Sequence, residues 1–596
     1  MRELLQPNKK ATDFLTFAGE YVVLGIPIRK GKVERNYFVI LNIVEKKRLI
    51  VNELLKKGQI RGTESAFLYQ PKEEGTWEAY SWEQVSLEIE TLSKAFARSH
   101  VNETARIAVY SQNMKEMIIT DLALFSNRAV VVPIYATSSY TQVAYIVKDS
   151  GAKIVCVGEQ LQYDTLCEAI EKDEDLKKLI EHIILYSKEI KIKETDTISI
   201  PYKDFLALGQ NTLQSQVVRD RREEATLEDI AYIIYTSGTS GVPKGVILTQ
   251  DNICAALEFH DKRLTKLDGD MKKELSVAFL PFAHVFEKMW TLYCLHRGIT
   301  VAVNLRPAKI QQTLKELRPT LMCCVPRFWE KVYAGVMQKI NSAEGIMKKM
   351  LLKAVEVGKK RNLDYADYGK RAPLFLELQY AFFNLLVFNK LRRAIGIGRC
   401  TFFPTAGAML SNEINQFFHA CGIDICYGYG LTETTATVAC FTEKNYVFGS
   451  VGKVLDGVEV KIGENDEILV KGRTVMKGYY NKPEETEKAF IEGWFRTGDA
   501  GSLDENGNLT MRERIKELYK TANGKYIAPQ VIESMISKNP YIEQLMVIGD
   551  QRKFVSALIV PDYEKLKTYA TEKAISFSSL EELLRNEDVN NFIASQ

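Results

Sequence analysis

The chain has 596 residues, of which 46% are hydrophobic and 26% are charged, a composition typical of globular proteins. This composition excludes a disordered protein, a collagen-like repeat and a small disulfide scaffold, and the length predicts roughly two to four domains. The 79 Lys and Arg nearly balance the 76 Asp and Glu, which gives a formal charge of +3 and no indication of a nucleic-acid partner. The ten cysteines have no CxxC pair and no metal-ligand spacing, which favours reduced thiols in a cytoplasmic protein.

The chain contains two long apolar stretches, and neither predicts a transmembrane helix. Residues 14–28 form a run that is too short to span a bilayer and is interrupted by a glutamate and a proline. Residues 374–388 are followed by Lys390, Arg392 and Arg393. This second stretch fits either a helix packed on the core or an interfacial helix whose basic end meets anionic lipid. We therefore expect at most weak peripheral contact with the inner face of a membrane, and the sequence leaves the oligomeric state open.

Short apolar runs alternate with longer segments of helical periodicity over most of the chain. Residues 82–97, for example, carry apolar side chains at helical spacing between two such runs. This alternation predicts parallel α/β sheets covered by helices. The predicted strands lie at residues 106–110, 130–132, 153–157, 183–185, 230–235, 276–280, 299–303 and 321–325.

The last third of the chain has a different pattern. Residues 340–395 contain few strand signals and predict a helical insertion, whereas glycine-punctuated short strands over residues 449–513 predict a small β subdomain. The predicted fold class is therefore α/β, with two parallel-type sheets and a β subdomain in a large N-terminal domain, followed by a small α+β domain. The predicted divisions are an unassigned extension (1–45), the large domain (46–513) and a partial C-terminal domain (514–596).

A glycine-rich loop, Tyr235-Thr-Ser-Gly-Thr-Ser-Gly-Val-Pro-Lys244-Gly, directly follows the apolar strand 230–235. Glycines allow backbone N–H groups to approach a phosphate closely, and hydroxyl and ammonium groups add donors and positive charge. A Walker A loop requires glycine before its lysine, whereas Pro243 precedes Lys244 here, so an ordinary P-loop NTPase is disfavoured. A plain Ser/Gly linker is disfavoured because it rarely follows a buried strand. The predicted phosphate-binding residues are Thr236, Ser237, Gly238, Thr239 and Lys244.

The loop resembles the phosphate loop of the adenylate-forming (AMP-binding) superfamily, which includes acyl-CoA synthetases, luciferases and peptide-synthetase adenylation domains. Three further motifs follow in the order of that family. They are Tyr427-Gly-Tyr-Gly-Leu-Thr-Glu433, Gly493-Trp-Phe-Arg-Thr-Gly-Asp499, and Arg514-Ile-Lys-Glu-Leu518 with Asn523-Gly-Lys-Tyr-Ile-Ala-Pro529. Four ordered motifs make a chance coincidence negligible.

The resemblance implies that the protein joins a carboxylate to the α-phosphate of ATP with the help of Mg²⁺. Such a reaction asks the protein to position two anions and to neutralise phosphate charge. Lys244, Thr432 and Glu433 are the implied catalytic residues, with Thr432 at the α-phosphate and Glu433 at the metal. The implied adenine pocket contains Tyr429, Gly430, Ala406, Gly407 and Ala408, the ribose contacts are Asp499 and Arg514, and Lys516 is the hinge of a swinging C-terminal domain.

Three features resemble long-chain fatty acid:CoA ligases within this superfamily. They are Leu280-Pro-Phe-Ala-His-Val-Phe-Glu-Lys288, the helical insertion before Thr401-Phe-Phe-Pro-Thr-Ala-Gly-Ala408, and residues 523–529. The resemblance assigns His284 to acyl binding and implies that the substrates are a long-chain fatty acid, ATP and coenzyme A. A lone histidine after a strand would otherwise be interpreted as a core or loop residue.

Two departures from the family leave other functions open. Residues 1–45 match no recognised segment, and no Thr-Pro-Thr-Leu-Lys-like segment follows Val560, so we expect a C-terminal domain without that catalytic lysine. The first alternative is therefore a catalytically impaired protein that binds acyl groups or nucleotide. The second is an adenylating enzyme that loads the thiol of a carrier protein instead of CoA.

Overall fold

The computed structural model describes residues 49–595, with gaps at 71–75, 237–241, 268–270, 401, 442–444, 516–518, 521–525, 538, 551 and 553, and a hairpin of strands Leu15–Ala18 and Tyr21–Leu24. Most of the predicted extension 1–45 therefore lies outside the described residues. Among the described residues, no helix is both long and apolar enough to cross a membrane.

The first sheet has eight strands, and the six from Ile230–Thr236 to the far edge are parallel. Lys244–Thr249 pairs antiparallel with Ile230–Thr236 and also with the short edge strand Gly478–Tyr479. The central strands are buried along nearly their whole length, which explains their uninterrupted apolar sequences. In spatial order the strands are Gly478–Tyr479, Lys244–Thr249, Ile230–Thr236, Val130–Tyr135, Arg106–Ser111, Ile154–Val157, His182–Leu185 and Ser199–Pro201.

Helices cover this sheet, and two of them begin with a capping box formed by a serine and a glutamine. Ser81 and Gln84 form a capping box that begins the helix Trp82–Arg98, and Ser139 and Gln142 do the same for Tyr140–Ser150. The other helices of this region are Ile50–Arg61, Lys115–Ser126, Gln160–Lys172, Glu174–Leu179, Tyr202–Ala207 and Ser215–Glu224.

A second sheet is assembled from two four-stranded halves joined by single bridges at Leu321 and Cys324. One half contains Glu78–Ser81, Ser65–Tyr69, Thr300–Val303 and Leu275–Ala278, and the other contains Phe403–Thr405, Ile425–Tyr429, Ala439–Cys440 and Lys453–Val454. The helices packed around it are Gln250–Arg263, Val285–Arg297, Ile310–Leu317, Pro326–Ser342 and Asn412–Ala420. With the first sheet, it confirms the predicted α/β class.

The predicted insertion is helical throughout its described elements. They are Gly345–Asp364, the 3-10 turn Ala366–Tyr368, Leu374–Phe383, a π-helical turn Asn384–Phe388, and Asn389–Ile395. Tyr380, Phe383 and Val387 pack against the core of the second sheet. The opposite face of Leu374–Phe383 is exposed, so this helix is packed on one side only.

The chain ends in a β subdomain and a small α+β region. The subdomain strands are Val458–Ile462, Glu467–Gly472, Phe490–Ile491, Trp494–Leu503 and Leu509–Arg514. Between the second and third of them lie the edge strand Gly478–Tyr479 of the first sheet and the helix Pro483–Lys488. Beyond Arg514 lie the hairpins Tyr519–Lys520 with Tyr526–Ile527 and Ile542–Ile548 with Ser556–Pro561, and the helices Pro529–Ile536, Tyr563–Glu572, Leu580–Arg585 and Glu587–Ser595.

Candidate functional site

A cavity of about 640 Å³ is lined by residues from both α/β sheets and from the β subdomain. It brings together most of the predicted site residues, although their motifs are hundreds of positions apart. The predicted residues that line it are Thr236, Lys244, His284, Ala406, Gly407, Tyr429, Gly430, Thr432, Glu433, Asp499 and Arg514. Ala408 does not line it, and Ser237, Gly238, Thr239 and Lys516 lie outside the described residues.

The glycine-rich loop connects two antiparallel neighbours of the first sheet. Thr236 and Lys244 are direct cross-strand partners, so the two ends of the loop are held side by side at the cavity. The Lys244 ammonium contacts the carboxylate of Glu485 and lies 5.3 Å from the centre of the Tyr479 ring. The hydrogen bond from Lys244 holds the pKa of Glu485 below its usual range. The Lys244 cation at one end of the loop is thus paired with a carboxylate.

Glu433 lies in a short 3-10 turn, Thr432–Thr434, directly after the strand that carries Tyr429. Its Oε1 accepts a hydrogen bond of 2.9 Å from the hydroxyl of Tyr479, and its carbonyl accepts one of 2.8 Å from the Met476 backbone. Burial, together with the charge of Glu433, raises the pKa of Tyr479 well above its usual value, so this hydroxyl stays a donor. The turn therefore fixes a carboxylate on the cavity wall.

Gly430 allows the nucleotide motif to fold back tightly on itself. A Cβ atom at this position would lie 1.3 Å from the carbonyl oxygen of Ala436. The returning segment has Thr435 and Ala436 in the left-handed region, with φ of 51° and 76°. Only glycine fits this close approach of two backbone segments.

Asp499 is 1% exposed and faces Arg514 across two antiparallel strands of the β subdomain. Its Oδ2 accepts a hydrogen bond of 2.6 Å from the Tyr429 hydroxyl, and Arg514 Nε lies 3.2 Å from its Oδ1. Burial and the Asp499 charge raise the pKa of Tyr429 well above its usual value. The predicted adenine residue and the two predicted ribose residues therefore form one connected cluster, a link that the sequence did not reveal.

The segment Ala406-Gly407-Ala408 follows strand Phe403–Thr405. Gly407 has a φ of +93°, and the Ala406 backbone N–H donates to the Cys324 carbonyl. The Ala408 carbonyl accepts a hydrogen bond of 3.0 Å from the Tyr427 hydroxyl. Ala406 and Gly407 consequently reach the cavity, whereas Ala408 supports the loop from outside it.

His284 is the N-terminal capping residue of helix Val285–Arg297, and its Nδ1 accepts a 3.1 Å hydrogen bond from the Phe286 backbone. Burial lowers its pKa, so the imidazole is neutral with its proton on Nε2. Asn113 holds the preceding loop by accepting from the Phe282 backbone at 2.8 Å and donating to the Leu280 carbonyl at 2.7 Å. The ring is thus a fixed, uncharged hydrogen-bonding group at the cavity.

Part of the cavity lining is largely apolar, and no local sequence pattern locates it. It is formed by facing sides of the helices Gln250–Arg263 and Val285–Arg297. The side chains there are Ala256, Leu257, His260, Leu264, Val285, Met289, Trp290 and Tyr293. Their spacing is that of ordinary core residues, so no local signal distinguishes them. Glu485 and Tyr479 were missed for a similar reason, because their partners are distant in the chain.

Comparisons with known proteins give the family. The family model of the AMP-binding enzyme matches residues 59–480, and that of the AMP-binding enzyme C-terminal domain matches residues 517–588. Long-chain-fatty-acid--CoA ligase FadD15 of Mycobacterium tuberculosis is 31% identical over 504 residues, covering 83% of this chain and 80% of that protein. Human long-chain-fatty-acid--CoA ligase ACSBG1 is 29% identical over 523 residues, covering 85% and 71%.

Solved structures agree on the fold. A fatty acyl CoA synthetase of Mycobacterium tuberculosis superimposes with a TM-score of 0.57 at 20% identity, covering 90% of this chain and 93% of that one. The o-succinylbenzoate coenzyme A synthetase of Bacillus subtilis, in complex with AMP, gives 0.57 at 19% identity, covering 88% and 92%. The match of one family model to most of the chain, with described residues of all four motifs lining one cavity, shows that the chain belongs to the AMP-binding enzyme family.

Proposed function

We propose that this protein is an AMP-forming long-chain fatty acid:CoA ligase. The observation that carries the proposal is the cavity itself, whose lining combines a set of polar and charged groups with a set of apolar side chains. Lys244, Glu433 and Asp499 supply the polar groups, and residues around Met289 and Trp290 supply the apolar ones. A substrate with a carboxylate head and a long hydrocarbon chain matches this arrangement, because apolar surface binds where it leaves water.

In the proposed first half-reaction, a carboxylate oxygen of the fatty acid attacks the α-phosphorus of ATP. The bond to the β-phosphate oxygen breaks, and pyrophosphate leaves with the electron pair. Lys244 and Thr236 stabilise the charge on the phosphates, and Thr432 donates to the α-phosphate. Asp499 accepts hydrogen bonds from the ribose hydroxyls, and these bonds hold the nucleotide in position for in-line attack.

The Glu433 carboxylate on the cavity wall fits Mg²⁺, since carboxylate oxygens are preferred ligands of this hard cation. Mg²⁺ bound there would neutralise phosphate charge. Tyr479 orients the carboxylate by donating to Oε1.

In the proposed second half-reaction, the thiolate of coenzyme A attacks the acyl carbonyl of the adenylate. The C–S bond of the thioester forms, the bond between the acyl carbon and the phosphate oxygen breaks, and AMP leaves with that electron pair. Neutral His284 at the cavity positions the carboxylate of the fatty acid by hydrogen bonding before adenylation and takes no part in proton transfer, in line with its lowered pKa.

The test measures pyrophosphate release from ATP and oleate, with and without CoA, and identifies the acyl product by mass spectrometry. Oleoyl-CoA and AMP in equal amounts would support the proposal. The absence of release would refute the ligase and leave a binding protein. Release without CoA-thioester formation would instead favour an adenylating enzyme with a carrier-protein acceptor.

We further propose that the helical insertion makes the peripheral membrane contact. Phe375, Leu378, Phe382 and Leu385 recur at helical spacing along one face and are 72%, 61%, 56% and 68% exposed. Lys390 and Arg393 at the end of this segment are exposed. An apolar stripe with cations at one end is suited to the surface of an anionic bilayer. Arg392, by contrast, donates to the Cys421 carbonyl and to Asn389, so it stabilises the fold.

Vesicle sedimentation tests this contact. We expect the wild-type protein to bind vesicles that contain phosphatidylglycerol more strongly than vesicles of phosphatidylcholine alone, and Phe375→Ser with Phe382→Ser to abolish the difference. Leu87→Ser is the matched control, because Leu87 is 67% exposed on a different helix. Equal binding by the double variant and this control would refute the assignment of the surface.

A further inference from the structure

Three metal-ligating side chains meet outside the nucleotide cavity. Asp367, His419 and Asp424 each offer a ligand atom, and these atoms lie within 4.8 Å of one another. They come from separate elements: the 3-10 turn Ala366–Tyr368 of the insertion, the helix Asn412–Ala420, and the residue just before strand Ile425–Tyr429. We propose that they bind one divalent transition-metal ion, with Zn²⁺ as the favoured ion.

The hydrogen bonding of His419 leaves one ring nitrogen, Nδ1, with a lone pair that faces this cluster. Its Nε2 lies 3.3 Å from the carbonyl oxygen of Ile425, which only accepts, so Nε2 carries the proton. In the neutral ring Nδ1 is then an acceptor, and it lies 3.3 Å from Asp367 Oδ2, which is also an acceptor. A metal-bound histidine commonly donates its other N–H to a backbone carbonyl, as this ring does.

Asp367 and His419 are buried with these atoms unsatisfied. The residues are 8% and 4% exposed, and among the residues that the structure describes neither Asp367 Oδ2 nor His419 Nδ1 has a hydrogen-bond partner. A protonated His419 would pair with Asp367 through an N–H···O bond, but the two atoms do not meet hydrogen-bond geometry despite their proximity. A cation between them removes the repulsion of two buried acceptors.

The distance between two of the ligand atoms fits a small tetrahedral ion. Zn–N and Zn–O bonds of about 2.0–2.1 Å place two ligand atoms about 3.3 Å apart, which is the separation of His419 Nδ1 and Asp367 Oδ2. A cavity of about 30 Å³, lined by all three residues, leaves space for a water molecule as the remaining ligand. Mixed imidazole and carboxylate ligands favour Zn²⁺ over Mg²⁺ or Ca²⁺.

Arg263 also lines this cavity, and its charge opposes a cation. Its guanidinium donates to the carbonyls of Cys440 and Val454, at 3.1 and 2.7 Å. With neutral His419, the two carboxylates supply two negative charges to a divalent ion. The ion would link the insertion to the strand that ends at Tyr429. It would thereby stabilise the position of that strand, which carries the first residues of the nucleotide motif.

Metal content and Co²⁺ spectroscopy test the site in the full chain. After EDTA treatment and desalting, we expect the wild-type protein to take up one equivalent of Zn²⁺, and Co²⁺ to give the visible absorption of a tetrahedral site. Asp367→Asn and Asp424→Asn should each weaken Zn²⁺ binding by at least about 100-fold. Glu433→Gln is the control, and it should keep the equivalent of Zn²⁺ because it lies at the nucleotide cavity.

Thermal unfolding separates a metal site from a folding defect. Zn²⁺ should raise the Tm of the EDTA-treated wild type and of Glu433→Gln but not that of Asp424→Asn, whose half-buried side chain makes it the milder variant. If the folded wild type took up neither Zn²⁺ nor Co²⁺, the proposal would be overturned. The remaining explanation of the short distance would then be an ion pair between protonated His419 and Asp367. Equal Zn²⁺ affinity in the wild type and both Asp variants would overturn it as well.

Discussion

Gly430→Ala should abolish adenylation while leaving most of the fold intact. The added Cβ would lie 1.3 Å from the Ala436 carbonyl oxygen and 2.4 Å from its carbon, whereas ordinary contacts are 3.4–4 Å. The nearest atoms are backbone, so no side-chain rotation relieves the overlap. The segment that carries Thr432 and Glu433 must therefore shift by about 2 Å.

The functional cost follows from that displacement. Misplacing a catalytic group by about 1 Å can lower the rate by about 100-fold, or about 2.7 kcal/mol of transition-state stabilisation. Overpacking of this kind lowers the free energy of unfolding by about 1–3 kcal/mol. We expect kcat/KM for oleate-dependent pyrophosphate release to fall at least about 100-fold, with a moderately lower Tm.

Gly335→Ala supplies the matched control, because a Cβ there meets nothing within 4 Å and the position lies in helix Pro326–Ser342. This substitution should leave kcat/KM unchanged and stabilise the helix by about 0.5–1 kcal/mol. If Gly430→Ala retained kcat/KM within about threefold of the control, the close approach at Ala436 would not constrain the nucleotide motif.

The remaining predictions concern three charged or titratable side chains. Lys244→Ala should lower kcat/KM by about 100- to 1000-fold in the same assay with little change in Tm, and a large fall in Tm would contradict its placement as a functional surface group. Glu485→Gln should lower the KM for ATP, since it removes the anion that competes for Lys244; an unchanged or higher KM would argue against this competition. His296 bonds to Glu53 and Asp261, and although burial lowers its pKa, these bonds raise it to about 9. His296 therefore contributes fully to the free energy of unfolding below pH 6.5, the usual pKa of histidine, and this contribution is lost as the pH rises through about 9. Urea unfolding should show this loss of stability in the wild type and not in His296→Gln.

The sequence predicted those parts of the site that local patterns encode. The glycine-rich loop was identified because glycines, hydroxyls and a lysine follow a buried strand, and its described ends, Thr236 and Lys244, are paired at the cavity. The half-exposed helix Leu374–Phe383 was ambiguous, since an apolar stripe has the same spacing whether or not it is covered. The Lys244–Glu485 and Tyr429–Asp499 contacts join residues 241 and 70 positions apart and have no local signal.

The sequence by itself determined the α/β class, the order of the motifs and the side-chain chemistry of each motif. Strand burial, helix capping and the donor groups of a glycine-rich loop each depend on a few neighbouring residues. Only the tertiary structure decided which groups meet. Sheet pairing places Asp499 opposite Arg514 and brings Tyr429 to the same carboxylate. The packing of helices Gln250–Arg263 and Val285–Arg297 likewise forms the apolar part of the cavity lining from residues whose sequence spacing is that of ordinary core residues. Long-range packing depends on the whole chain, so its contacts cannot be read from any one segment.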